Sequence, residues 1–267
     1  MSANIPATVT ILTKNSGKTL QRALESVRDF DEIVICDGGS TDETLSIAGA
    51  VGARVILQEA QFLDAKGKIY DYSGVRNQTL DAARHNWIFW LDSDEYVGAD
   101  LIESIRKIIS TRGAEGTGAF WVNRKYVIDG EVIDCAATYP NRQMRFFSKN
   151  STSGMVKKVH ERIKLTDGVK AEFLFGTMLI PFEADVEVIR RKWDYQIAVA
   201  AAQSSPMAFS TFLVSVFEAS KVSALWLFRL FRNAISCSGS KMPLRFEMER
   251  HYFHIRLLRA LWHEVRF

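Results

Sequence analysis

Apolar and polar positions along the first hundred residues predict strands and helices in turn. Thr8-Val9-Thr10-Ile11-Leu12-Thr13 is a β-branched run of strand character, broken by Lys14-Asn15-Ser16-Gly17. Leu20, Ala23, Leu24 and Val27 then recur at helical spacing. Glu32-Ile33-Val34-Ile35-Cys36 predicts a second strand, ending in the turn Asp37-Gly38-Gly39-Ser40-Thr41-Asp42. Ser40 or Thr41 is placed to cap a helix starting near Glu43. Ala53 to Leu57 is a third strand candidate. Gln58 to Tyr72, with Lys66-Gly67-Lys68 inside it, lacks a period and reads as a mobile loop over a site. Ser73 to Arg84 predicts a helix. Trp87-Ile88-Phe89-Trp90-Leu91 is the most apolar strand, and it stops abruptly at Asp92-Ser93-Asp94-Glu95.

The pattern then changes. Leu101 to Ile109 predicts an amphipathic helix, and residues 118–128 and 131–135 a hairpin around Asp129-Gly130. Met144 to Ser148 predicts a strand; Met155 to Leu165 is mixed and basic. Beyond about Asp185 the spacing is helical throughout. Strands alternating with helices predict an α/β fold with a mostly parallel sheet flanked by helices. The expected division is a catalytic domain over residues 1–185 and a helical, amphipathic extension over 186–267.

Composition narrows the class. Of 267 residues, 47% are hydrophobic and 24% charged, with a mean hydropathy of -0.04, which excludes a disordered or fibrous chain. Cys36, Cys135 and Cys237 are too scattered for a zinc site or a readable disulfide framework, and free thiols suit the cytosol. The first residues carry no basic and apolar leader pattern. Pro206 to Phe231 is the nearest approach to a spanning segment, and Glu218, Lys221 and Arg229 interrupt it. The net charge of +3 is uneven, since residues 186–267 hold 12 basic and 6 acidic side chains and the rest is net acidic. That acidity, and the apolar character of the basic tail, argue against a nucleic-acid partner.

The clearest chemistry is the acidic cluster after the most apolar strand. Unpaired burial of such carboxylates costs several kcal/mol each, so they belong at the strand's carboxyl end, facing a crevice. Ligands bind there in open α/β sheets. Asp92 and Asp94 offer hard oxygens suited to Mg2+ or Mn2+; a polar strand-to-helix turn explains the tripeptide as well. A second strand ending in Asp37 has the same layout, and two such strand ends suit recognition of a nucleotide. Gly38 and Gly39 let backbone approach a ligand there, although Asp-Gly-Gly-Ser is also an ordinary turn.

Thr13-Lys14-Asn15, Cys36 through Asp42, Arg76-Asn77 and Leu91-Asp92-Ser93-Asp94-Glu95 together resemble family 2 glycosyltransferases of the GT-A fold. With Arg145-Phe146-Phe147 and Val159-His160-Glu161, the chain looks most like bacterial lipopolysaccharide-core transferases of the β-1,4-glucosyltransferase type. The resemblance covers roughly residues 7–165. It implies that Thr13, Asn15 and Asp37 contact the nucleotide base, and that Arg76, Asn77 and Arg145 lie at the nucleotide-sugar. It further implies that Asp92 binds the ribose side and Asp94 the metal on the diphosphate. Many members have a second aspartate where this chain has Gly38. Inverting members use a carboxylate as general base, which by position is Glu161, with Glu95 a second candidate; the rival is an ion pair of Glu161 with Lys157, Lys158 or Arg162. His160 either orients a phosphate or satisfies local hydrogen bonds. Arg142, Arg145, Lys157 and Lys158 suit a donor diphosphate or acidic groups on the acceptor, or a solvated basic face.

The C-terminal third is dense in Phe, Leu and Trp interleaved with Lys and Arg. Such helices lie in the headgroup region of anionic bilayers, or pack on the catalytic domain or a second subunit. His251, His254 and His263 read as interfacial or packing residues. The expectation is a metal-dependent inverting transferase carrying sugar from a nucleotide-sugar, a UDP-sugar, to a lipid-linked saccharide, peripheral on the inner face of the plasma membrane. A nucleotidyltransferase and a catalytically silent membrane scaffold are the rivals.

Overall fold

A computed structural model describes residues 4–266 except 66, 159, 160 and 205, and only the backbone of 202 and 203. Lys66, Val159 and His160, singled out above, therefore lie outside the described residues. The chain divides into two compact units, one of residues 1–125 and 141–180 and the other of 126–140 and 181–267.

The first unit runs β1 (Ile5–Thr13), α1 (Gly17–Ser26), β2 (Phe30–Asp37), α2 (Thr44–Ala50), β3 (Arg54–Leu57), α3 (Tyr72–Ala82), β4 (Trp87–Asp92), β5 (Tyr96–Val97) and α4 (Ala99–Arg112). Next come β6 (Ala119–Ile128), whose end pairs with β7 (Glu131–Val132) in the second unit, and then β8 (Asn141–Ser148), β9 (Thr152–Val156), β10 (Arg162–Leu165) and β11 (Glu172–Pro181). The main sheet has the order β3-β2-β1-β4-β8-β6-β11-β5. Strands β3, β2, β1 and β4 are parallel, while β8 and β6 extend the sheet antiparallel. Strands β9 and β10 form a separate hairpin. The expected α/β class and flanking helices are present.

Period-two alternation explains the two faces of β4. Trp87, Phe89 and Leu91 enter the core with Leu20 and Leu24 of α1 and Leu101 and Ile105 of α4. Ile88 and Trp90 face the other way, clustering with Leu80 of α3, Phe147 and Met155. Asp92 shares the parity of Trp90, so it emerges on the α3 side. The helix expected over 73–84 starts at Tyr72, capped by Asp71, whose carboxylate accepts from Gly74 N. Helix α2 departs from expectation: neither Ser40 nor Thr41 caps it, because Ser40 Oγ is turned to Asp37 and Asp42 accepts from Thr44 instead.

The second unit adds α5 (Val186–Gln203), β12 (Met207–Ala208), α6 (Phe209–Ser236), α7 (Leu244–Trp262) and β13 (Val265–Arg266). Asp185 caps α5 by accepting from Glu187 N and Val188 N. Cys135 and Cys237 form a disulfide with Cα atoms 6.5 Å apart, correcting the expectation of free thiols; only Cys36 stays free, buried in β2. A separation of 102 residues hides such a pairing from local spacing. His251 and His254 pack on Trp226, with ring centroids 6.0 and 5.2 Å away, as the packing reading expected. Against expectation, α6 is long and apolar enough to cross a membrane by length and composition, because its charged residues are spaced so that an apolar stretch of 18 residues holds no more than two of them. It packs Phe212 on Trp262 and Trp226 on His254. Its other face leaves Leu213, Phe217, Phe228, Phe231 and Ile235 at least half exposed.

Candidate active site

Parallel pairing brings the carboxyl ends of β1, β2 and β4 to one sheet edge. In register, Thr13 lies beside Asp37 and Leu12 beside Asp92. Thus β1 separates the two acidic strand ends, which stand on either side of it.

Asp37 is 1% exposed and shapes this edge from within. Its Oδ1 accepts from Thr13 Oγ1 at 2.9 Å and from Ser40 Oγ at 2.5 Å, and its Oδ2 from Gly39 N and Ser40 N, both at 2.8 Å. Burial opposes its charge, but the hydrogen bonds from Ser40, Thr13 and Gly39 outweigh burial and hold the carboxyl below its usual range. These four hydrogen bonds fix the carboxylate at the edge where the contact with a nucleotide base was expected. Gly39 sits at φ +79°, a left-handed conformation that favours glycine. At Gly38 a Cβ would fall 2.9 Å from Gln58 Oε1, so the close approach there is to the protein itself.

Asn15, at φ 51°, ties the loop after β1 to this turn. Its Oδ1 accepts from Thr41 N at 2.9 Å and its N donates to Ser40 Oγ at 2.8 Å. Ser16 Oγ lies 3.0 Å from Ser93 Oγ, joining the β1 and β4 turns. Asn77 departs from expectation: its amide clamps β9, Nδ2 donating to Met155 O at 3.1 Å and Oδ1 accepting from Met155 N at 2.7 Å.

Asp92 sits between two buried arginines. Oδ1 accepts from Arg76 Nη2 at 2.6 Å and from Trp90 Nε1 at 3.1 Å; Oδ2 accepts from Arg145 Nη2 at 2.7 Å. Both guanidinium carbons lie 4.3 Å from the Trp90 ring centroid. Burial disfavours the charged carboxylate, yet Arg145 and Arg76 overcome it and hold Asp92 far below the usual range. Glu95 is 2% exposed and paired with Arg124, and lies 3.3 Å from Arg145. Burial outweighs these partners and pushes its carboxyl up. So placed, Glu95 is not an accessible base.

Asp94 differs from its neighbours. It is exposed and makes no hydrogen bond or ion pair among the described residues. Among the described residues no three His, Cys, Asp or Glu side chains cluster to hold an ion by themselves. A free carboxylate at a strand end nevertheless fits Mg2+ or Mn2+, since such ions take one or two protein carboxylates and complete their shell with water and phosphate oxygens. With both Asp92 oxygens committed to guanidinium groups, Asp94 is the available donor.

Glu161 lies with its Oε1 3.5 Å from Arg76 Nε, not paired with Lys157, Lys158 or Arg162. It lines a cavity of about 680 Å³ within the first unit, together with Asp92, Trp90, Trp121, Arg124, Arg142, Arg145 and Arg162. Arg76 and Arg145, 5% and 1% exposed, reach this wall as salt partners of Asp92. The structure thus gathers Arg76, Asp92, Arg145 and Glu161 at one cavity, and Thr13, Asn15 and Asp37 at the adjoining edge. Sequence reasoning missed Trp90, Trp121 and Arg124. Trp90 was findable, because a residue two before Asp92 on a strand shares its face.

Residues 8–154, more than half of the chain, match the family described as glycosyl transferase family 2. An uncharacterized glycosyltransferase of Rickettsia typhi is 25% identical over 144 residues, 54% of this chain and 46% of that protein. Another, of Rickettsia bellii, is 28% identical over 106 residues, 39% of this chain and 33% of that protein. The chain therefore spans less than half the length of these curated relatives. Among solved structures, Staphylococcus aureus TarS 1-349 in complex with UDP is similar with a TM-score of 0.44 at 14% identity, covering 96% of this chain and 88% of that one. Glucosyl-3-phosphoglycerate synthase from Mycobacterium tuberculosis, in complex with Mn2+, UDP and glucosyl-3-phosphoglycerate, gives 0.32 at 22% identity, covering 45% and 44%. On its family match, the chain belongs to glycosyl transferase family 2.

Proposed function

We propose that the protein transfers a sugar from a nucleotide-sugar, a UDP-sugar, to a hydroxyl of a lipid-linked saccharide such as a lipopolysaccharide core, with inversion at the anomeric carbon. The observation that carries this reading is the shared edge: the register sets the Asp37 turn and Asp92 on either side of β1, with Asp94 unspent beside them. In this reading the nucleotide lies along the β1 and β2 turns, at Thr13 and Asn15. Asp94 would hold a divalent ion, Mg2+ or Mn2+, which would supply charge that stabilises the leaving diphosphate. Asp92 holds Arg76 and Arg145 in place beside that charge. Glu161 takes the proton of the acceptor hydroxyl as it attacks, which is worth roughly 10²–10⁴-fold. Arg76, its Nε 3.5 Å from Glu161 Oε1, fixes the direction of that carboxylate.

The resemblance to lipopolysaccharide-core β-1,4-glucosyltransferases supports the lipid-linked acceptor, and α6 supports the membrane. Its apolar stripe of Leu213, Phe217, Phe228, Phe231 and Ile235 runs beside Lys221, Arg229 and Arg232. A helix of this kind lies in the headgroup plane of an anionic leaflet, here the inner face of the plasma membrane.

The test is release of nucleoside diphosphate from UDP-sugars, with Mn2+ and with chelator, in the wild type and Glu161→Gln. The reading expects metal-dependent release and a fall of about 100-fold or more in the variant with donor affinity retained. Near-normal turnover in the variant reassigns the base. Pyrophosphate release marks a nucleotidyltransferase instead, and absence of nucleotide-sugar binding in the presence of metal marks a silent scaffold.

A further inference from the structure

The cavity beside Glu161 carries more positive charge than its own carboxylates consume. Arg76 and Arg145 are spent on Asp92, and Arg124 on Glu95. Arg142 and Arg162 remain. Each is exposed, each comes from a different strand, β8 or β10, and each lines the same cavity. Neither meets a carboxylate among the described residues. Arg142 donates from Nε to Asn123 Oδ1 at 3.0 Å and stacks on Phe173 with 4.4 Å to the ring centroid, which holds its head in place. Half-buried Trp121 lines the same cavity.

Resting on the sugar-transfer reading, we propose that this cavity is the acceptor site and that it takes a saccharide bearing an oxyanion, read by Arg142 and Arg162. No residue of β1 or β2 lines the cavity, which meets the edge assigned to the nucleotide at Asp92, Arg76 and Arg145 and extends from there along β8 and β10. Its volume of about 680 Å³ suits a saccharide unit and is in the range of small-ligand clefts. Guanidinium groups match phosphate and carboxylate through paired N–H donors, which a neutral sugar does not engage with comparable strength. The indole of Trp121 offers an apolar face to a sugar ring. Glu161, on the same wall, meets the hydroxyl of a sugar whose acidic group is held by the two arginines.

Calorimetric titration of the full chain with glucose 6-phosphate, glucuronate and glucose tests this, at low salt and again with UDP and Mn2+ at saturation. At least one acidic sugar is expected to bind about tenfold or more tightly than glucose. Preference for glucose 6-phosphate assigns a phosphomonoester, and preference for glucuronate a carboxylate. The double substitution Arg142→Gln/Arg162→Gln removes that preference, with the melting temperature of the unliganded variant checking its folding. Equal affinity for all three sugars, a preference that survives the substitutions, or displacement by UDP overturns the proposal. A protein that binds acidic sugars but no UDP or UDP-sugar keeps the anion site and loses the transfer reading; one that binds donor but does not discriminate the three sugars loses the anion site alone.

Discussion

Asp92 Oδ2 accepts a 2.7 Å hydrogen bond from Nη2 of Arg145, a residue with 1% exposure. With Arg76 on the other oxygen, the first aspartate of the Asp-Ser-Asp turn is a structural counter-ion and the second, Asp94, is free. The two therefore separate on substitution. Asp92→Asn leaves two buried guanidiniums without a charge partner and is expected to cost about 2–4 kcal/mol of stability. Asp94→Asn removes nothing the fold uses and stays within about 0.5 kcal/mol of wild type. Urea unfolding of both variants checks this; equal losses would contradict it.

The Asp37 turn gives a pH signature. A folded-state pKa below the unfolded one adds stability above the ordinary carboxylate range, and that stability is lost as pH falls through and below it. Asp37, Glu32 and Asp92 all shift in this direction. Glu95 and Glu247, pushed up chiefly by burial, shift oppositely and soften the loss. Ser40→Ala removes one donor to Asp37 and is expected to cost about 1 kcal/mol at pH 7. The deficit shrinks in acid, where Asp37 is protonated in both proteins. Unfolding at the two pH values reads it, and a deficit independent of pH would contradict the coupling.

The Cys135–Cys237 disulfide joins two residues of the second unit that lie 102 positions apart in sequence. Cys237→Ser is expected to lower stability by about 2–4 kcal/mol in the absence of reductant and to match wild type in its presence. Thermal unfolding with and without dithiothreitol distinguishes the cases. No difference under oxidising conditions would contradict the bond's contribution.

The stripe on α6 predicts a membrane phenotype. Phe228 and Phe231 are 64% and 67% exposed. Phe228→Ser/Phe231→Ser removes two side chains worth about 1.5–3 kcal/mol each when buried, so partitioning onto anionic vesicles should fall by more than about tenfold. Co-sedimentation with phosphatidylglycerol vesicles measures this. Unchanged partitioning would move the lipid contact elsewhere.

Much of this architecture was legible because local rules carried it. Thr8 to Thr13, Glu32 to Cys36 and Trp87 to Leu91 each announce a strand by β-branched or aromatic runs closed by polar turns. Asp129 at φ 51° and Gly130 at φ 83° form the tight hairpin turn their dipeptide predicts. The rest depended on distant partners. No local period shows that β8 pairs antiparallel with β4 and β6 antiparallel with β8, or that β11, which carries no clean alternation, joins the sheet. The same limit applies to the site. Asp37, Asp92 and Glu161 were visible as carboxylates at strand ends or in a motif. That Asn77 clamps β9 and that Arg76 and Arg145 flank Trp90 follow from contacts between residues distant in sequence, whereas Asp37 is held mostly by its neighbours Gly39 and Ser40, with Thr13 reaching it across the sheet.

The central claim is that the free carboxylate at the end of β4 joins a divalent ion to a nucleoside diphosphate at the strand edge. Calorimetric titration of UDP into wild type and Asp94→Asn, each with Mn2+ and with chelator, tests it most directly. The account predicts that Mn2+ tightens UDP binding to the wild type by about tenfold or more and leaves the variant's affinity unchanged. Equal enhancement in both proteins, or no UDP binding by the wild type with metal present, would contradict it.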